Sequence, residues 1–166
     1  MRIYFDTNIL VYSLDPADAR KQTLAQAALH QASLGRDVVI STQVMLELFN
    51  VLTRKLRFSP ADALDAVTLL STHSVVPTGT DFAPRALALA IRYQLSTWDA
   101  AMIQAALDGH CEVLLTEDMQ PGMRFGALEV VNPFIPTAKE SESPWPTKPL
   151  APAKSTRGSS LRRRQK

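Results

Sequence analysis

Apolar residues along this chain follow two rhythms. Short, nearly continuous runs (Ile3-Tyr4-Phe5, Val38-Val39-Ile40, Val75-Val76, Val113-Leu114-Leu115, Leu128-Glu129-Val130-Val131) alternate with longer stretches whose apolar positions recur three and four apart. The first rhythm predicts buried strands over residues 2–5, 38–40, 74–77, 113–115 and 128–131, and the second predicts helices between them. Pro16 starts a helical pattern that Gly35 ends, giving a helix over 16–34. Ser41 and Thr42 offer caps for a helix running to about residue 56. Ser59-Pro60-Ala61-Asp62 supplies a cap, a proline in the first turn and an acid near the positive helix end, so a helix is predicted over 60–72. Two more follow over 81–93 and 99–107, the second closed by Gly109. Strands of this kind alternating with helices imply an α/β fold, a parallel sheet covered on both faces. Ligands of such sheets gather at the carboxyl ends of the strands. No internal repeat is present.

That edge makes the first strand's ending, Tyr4-Phe5-Asp6-Thr7-Asn8, informative. Taken singly, Asp6 reads as a strand end and helix cap, because Asp and Asn side chains bond nearby backbone groups. Asp118 after the fourth strand and Asp99 at a helix start read the same way. Glu47 differs: it lies inside Gln43-Val44-Met45-Leu46-Glu47-Leu48-Phe49-Asn50, where a helix needs no cap. A buried, uncompensated carboxylate there would be costly. The alternative is a solvated face along Gln43, Glu47, Asn50 and Arg54, with Asn50 or Arg54 as partner. If Asp6, Glu47, Asp99 and Asp118 converge, four negative charges in one pocket call for cations. Oxygen ligands suit Mg²⁺ or Mn²⁺, and a carboxylate-only site of this kind is suited to phosphodiester hydrolysis by an activated water.

Composition narrows the classes. The chain has 166 residues, 46% of them hydrophobic, enough for one packed domain. A single cysteine, Cys111, excludes an intrachain disulfide, and His30, His73 and His110 show no ligand spacing. No charged-then-apolar leader stands at the amino terminus and no apolar run reaches the roughly 20 residues of a membrane span. A cytoplasmic, membrane-free protein is the expectation. Net charge is +2, but unevenly placed: residues 1–138 hold 10 Lys+Arg against 14 Asp+Glu, and 139–166 hold 8 against 2. The Pro/Ser-rich basic segment 136–166 is expected to be a disordered tail beyond a domain of residues 1–135.

Read together, Ile3-Tyr4-Phe5-Asp6-Thr7-Asn8, Glu47 in the helix after the second strand, Trp98-Asp99-Ala100-Ala101 and Leu114-Leu115-Thr116-Glu117-Asp118-Met119 resemble a PIN-domain ribonuclease, in particular the VapC-type toxin of toxin–antitoxin pairs. The resemblance covers residues 2 to about 134. It implies a three-layer sandwich and a Mg²⁺- or Mn²⁺-dependent endoribonuclease. Asp6, Glu47, Asp99 and Asp118 would be the catalytic, metal-binding quartet, and Asn8 and Thr116 would orient ligands from close by. Glu117 is a possible substitute for Asp118, although the Thr-x-Asp pattern favours Asp118. An RNA substrate, a cognate antitoxin and a homodimer follow from the same resemblance. The alternatives are a phosphatase of the haloacid dehalogenase class, which lacks its second acid because position 8 is Asn, and a housekeeping RNA-processing or RNA-binding PIN protein. Trp98, next to Asp99, is read first as a core residue, with a base-stacking platform as the lesser alternative.

Overall fold

The computed structural model describes residues 1–35 and 38–135. Their elements run β1 (Ile3–Phe5), α1 (Thr7–Leu14), α2 (Ala19–Gly35), β2 (Val38–Ser41), α3 (Thr42–Arg54), α4 (Pro60–Leu70), β3 (Ser74–Val76), α5 (Phe82–Tyr93), α6 (Thr97–Asp108), β4 (Val113–Leu115), β5 (Arg124–Phe125) and β6 (Leu128–Val131). The sheet order is β3-β2-β1-β4-β6-β5. All neighbours pair in parallel except β5 and β6. β1 and β2 are buried along their whole length, as the continuous apolar runs require of a sheet covered on both sides. Leu48, Leu52, Ile103 and Ala106 close over it from the helices.

The chain moves outward from β1 through β2 to β3, then returns across the sheet to β4 on the other side of β1. Right-handed crossovers therefore set α1–α4 on one face and α5–α6 on the other. The reversal makes the carboxyl ends of β1 and β4 the switch point of the sheet, where α/β folds open a crevice. Asp6 follows β1 directly, and Thr116, Glu117 and Asp118 follow β4.

Three expectations need correction. The helix predicted over 16–34 is α2, which begins only at Ala19, and an unexpected helix, α1, precedes it directly after Asp6. Pro16 lies in the link, where the Asp15 carboxylate accepts the Ala17 amide and the Asp18 carboxylate accepts that of Lys21 at 3.0 Å, so Asp18 caps α2 instead of a proline starting it. The sheet is also mixed rather than wholly parallel. A two-residue connection with Gly126 at a φ of 65° folds β5 back on β6 as an antiparallel edge, a backbone region that glycine enters without strain. Ser41 and Ser59 cap their helices as expected, accepting the amides of Val44 and Asp62. Third, Trp98 is no core residue; it is 69% exposed. The basic segment 136–166 lies outside the described residues.

Candidate active site

Asp6, Glu47, Asp99 and Asp118 line one cleft of about 140 Å³ together with Tyr4, Gln43, Val44, Trp98 and Met102. Each acid arrives on a different element. Asp6 occupies the position before α1, yet its carboxylate makes no cap hydrogen bond; it accepts the Thr116 hydroxyl at 2.6 Å. The cap reading of Asp6 therefore does not describe its side chain. Glu47 sits on α3, where neither Asn50 nor Arg54 is its partner: its two oxygens accept the Thr7 hydroxyl at 2.7 Å and the Gln43 amide at 2.9 Å. In the first turn of α6, Ser96 takes the capping duty by accepting the Asp99 amide, which leaves the Asp99 carboxylate to the cleft. Asp118 is exposed at the end of the β4 loop.

Asn8 and Thr116 tie the two strand ends together. The Thr116 hydroxyl, fully buried, donates to Asp6 and accepts the Asp118 amide at 3.1 Å. The Asn8 amide nitrogen donates to the Asp118 carboxylate at 2.9 Å and lies 3.4 Å from the Thr116 hydroxyl. The Asn8 carbonyl oxygen is buried without a partner among the described residues. Glu117 points elsewhere: Tyr12 and Lys21 both donate to its carboxylate at 2.5 Å, so the substitution of Glu117 for Asp118 has no geometric basis.

Burial pushes the Asp6 carboxyl up to about 6; the Thr116 hydroxyl opposes the rise, and the negative charges of Asp118 and Glu47 add to it. Among the described residues no Lys or Arg lines the cleft. Hard oxygen donors around a destabilised carboxylate fit Mg²⁺ or Mn²⁺ by chemistry. The fit is not yet one of distance, since among the described residues no three His, Cys, Asp or Glu side chains stand close enough to hold one ion. Glu47 and Asp99 are half-buried and Asp118 is exposed. Cys111 is no nucleophile: burial raises its thiol to about 12.

The PIN domain family model matches residues 3–120, which include all four acids. The chain belongs to the PIN domain family. No curated protein sequence matches it. Among solved structures, a toxin–antitoxin complex from Klebsiella pneumoniae is similar at 25% identity and a TM-score of 0.56, covering 79% of this chain and 97% of that one. VapBC2 from Rickettsia felis, bound to a DNA fragment from its promoter, shares the fold at 14% identity and a TM-score of 0.57, over 80% of this chain and 98% of that one. So does VapC20 of Mycobacterium tuberculosis, a Sarcin-Ricin loop cleaving toxin, at 21% identity and a TM-score of 0.53, over 68% and 86%. A dehalogenase-like phosphatase would need an acid two residues beyond Asp6; the PIN chain has Asn8 there, donating to Asp118.

Sequence reading missed Thr7 and Gln43. Gln43 was legible as the residue four before Glu47 on the same helical stripe. Thr7 was not, since its contact with Glu47 joins α1 to α3 across 40 residues.

Proposed function

We propose that this PIN protein is a metal-dependent endoribonuclease, the toxin of a type II toxin–antitoxin pair. One observation carries the reading: four carboxylates from four separate elements share a cleft at the sheet's switch point, with no Lys or Arg in its lining among the described residues. Mg²⁺ or Mn²⁺, when bound, would supply water activation and neutralise charge building at the scissile phosphate. Asp6, Glu47, Asp99 and Asp118 would hold it. Thr116 keeps Asp6 aimed by donating to it, Asn8 does the same for Asp118, and Gln43 and Thr7 hold Glu47. With water as the attacking group no protein nucleophile is needed, so the chain's part is to bind, orient and concentrate charge. RNA is the proposed substrate. The Klebsiella neighbour, a toxin–antitoxin complex, supports a cognate antitoxin as partner, and a homodimer is the assembly the family resemblance implies.

RNA cleavage is expected with Mg²⁺ or Mn²⁺ and abolished by EDTA. Asp6→Asn and Asp99→Asn should each lower kcat by about 100-fold or more, as loss of a charge that acts in the transition state does. Asp62→Asn, at the exposed cap of α4, should cleave like wild type. Equal rates for all three variants would remove the site assignment.

A further inference from the structure

The cleft is small. At about 140 Å³ it has room for an ion with several waters. Among the described residues its lining holds no Lys or Arg, so within that lining substrate affinity must come from another kind of contact. Trp98 stands where that contribution is needed. It is the residue before Asp99, it lines the same cleft, and it is 69% exposed. Met102, one turn along α6 and 8% exposed, shares its face of the helix and the same lining. The Ser96 cap pins the first turn of α6 and so fixes the backbone that presents the indole. The indole N–H has no hydrogen-bond partner among the described residues. Tyr4, the other aromatic of the lining, is unavailable: it is 1% exposed and its hydroxyl is bonded to Ser41 at 2.8 Å. Other exposed apolar residues such as Leu46 and Ile91 lie off the cleft and are ordinary surface.

We propose that Trp98 is a stacking platform for one unstacked nucleobase beside the scissile phosphate. The inference rests on the reading of this site as a nuclease. Stacking on an indole face accepts every base, because each has a π surface, and leaves sequence choice to other contacts. It requires the base to be out of a duplex stack, so the platform selects single-stranded or loop segments over paired ones. The exposed ring and the acidic cleft are thereby one arrangement: the phosphate reaches inward to the carboxylates and the base stays on the rim.

The test uses full-length protein and two readouts. In cleavage of a single-stranded RNA with Mn²⁺, Trp98→Ala should raise KM about 5- to 150-fold, equivalent to about 1–3 kcal/mol, while Trp98→Phe keeps most of the affinity. kcat should stay within about threefold in both, since the indole does not act on the reacting atoms. For binding without cleavage, Trp145 is changed to Phe so that Trp98 is the sole emitter, and a short phosphorothioate oligoribonucleotide is titrated in. Emission should be quenched by the single strand and not by its duplex. Unchanged KM in Trp98→Ala, or absent or duplex-equal quenching, overturns the platform. Quenching by a wild-type site that cleaves no RNA with any divalent ion keeps the platform and removes the ribonuclease reading. Cleavage without quenching does the reverse.

Discussion

Asp6 is held in a conflict that its neighbours set up. It is 9% exposed, faces Asp118 and Glu47, and is compensated by the Thr116 hydroxyl and the Thr7 backbone, which do not offset its burial. A carboxyl whose folded value is raised to about 6 from 3.8 binds its proton more tightly in the folded state than in the unfolded chain. Its contribution to stability is therefore complete below about pH 4 and lost as pH rises through about 6, a change of about 3 kcal/mol by linkage. In EDTA at neutral pH, Asp6→Asn should melt several degrees above wild type, and the advantage should disappear near pH 4, where both side chains are neutral. Added Mg²⁺ should raise the melting temperature of wild type more than that of the variant, because only ions bound to the folded state contribute. A variant that melts below wild type in EDTA at neutral pH would make Asp6 a structural residue. Trp98 teaches the opposite lesson at this scale: a large apolar residue defaults to the core, and only its place on the first turn of α6 turns it outward.

Between elements, Glu117 and Asp118 divide one short loop into a tether and a site. Glu117 accepts from Tyr12 of α1 and Lys21 of α2, and the Lys21 ammonium also lies 4.2 Å over the Tyr12 ring and 5.3 Å from the Phe134 ring. Arg20 donates to the Phe134 carbonyl at 3.1 Å. This cluster fastens the loop after β4 to two helices and to the segment after β6, and so fixes the direction in which Asp118 leaves the loop. Because the Lys21–Glu117 pair is partly exposed, its worth is modest. Glu117→Gln should cost about 1 kcal/mol in denaturant unfolding and leave cleavage within about threefold. Asp118→Asn should leave stability nearly unchanged and lose cleavage. The reverse pattern would make Glu117 the fourth acid.

Across the whole molecule, charge is divided between an acidic body and a basic end. Residues 1–138 have 10 cationic against 14 anionic side chains, and 139–166 have 8 against 2. Phosphate is repelled by the first and attracted by the second. Removing residues 136–166 should raise KM for long RNA at low salt and flatten the salt dependence of binding by about 0.7 in log–log slope for each phosphate no longer neutralised. Turnover at saturation should not change. Identical salt slopes for the two proteins would exclude a role for the basic segment in holding RNA.

The sequence by itself determined the class of the fold and singled out four acids that the structure brings to one cleft. Continuous apolar runs at β1, β2 and β4 are forced by burial on both faces, and caps at Ser41 and Ser59 are local hydrogen bonds, so both are written in neighbouring residues. Four acids in recurring motifs were likewise visible, Glu47 because a mid-helix carboxylate among apolar neighbours has no local explanation. The separate α1 and the β5–β6 edge escaped because eight-residue and two-residue elements carry too few positions to show a period. Which way a side chain faces was decided only by tertiary structure. Glu117 and Asp118 are adjacent and chemically alike, yet one is claimed by Tyr12 and Lys21 and the other by the cleft, through partners about 100 residues away. Such contacts depend on where the chain crosses itself, and no local pattern records that.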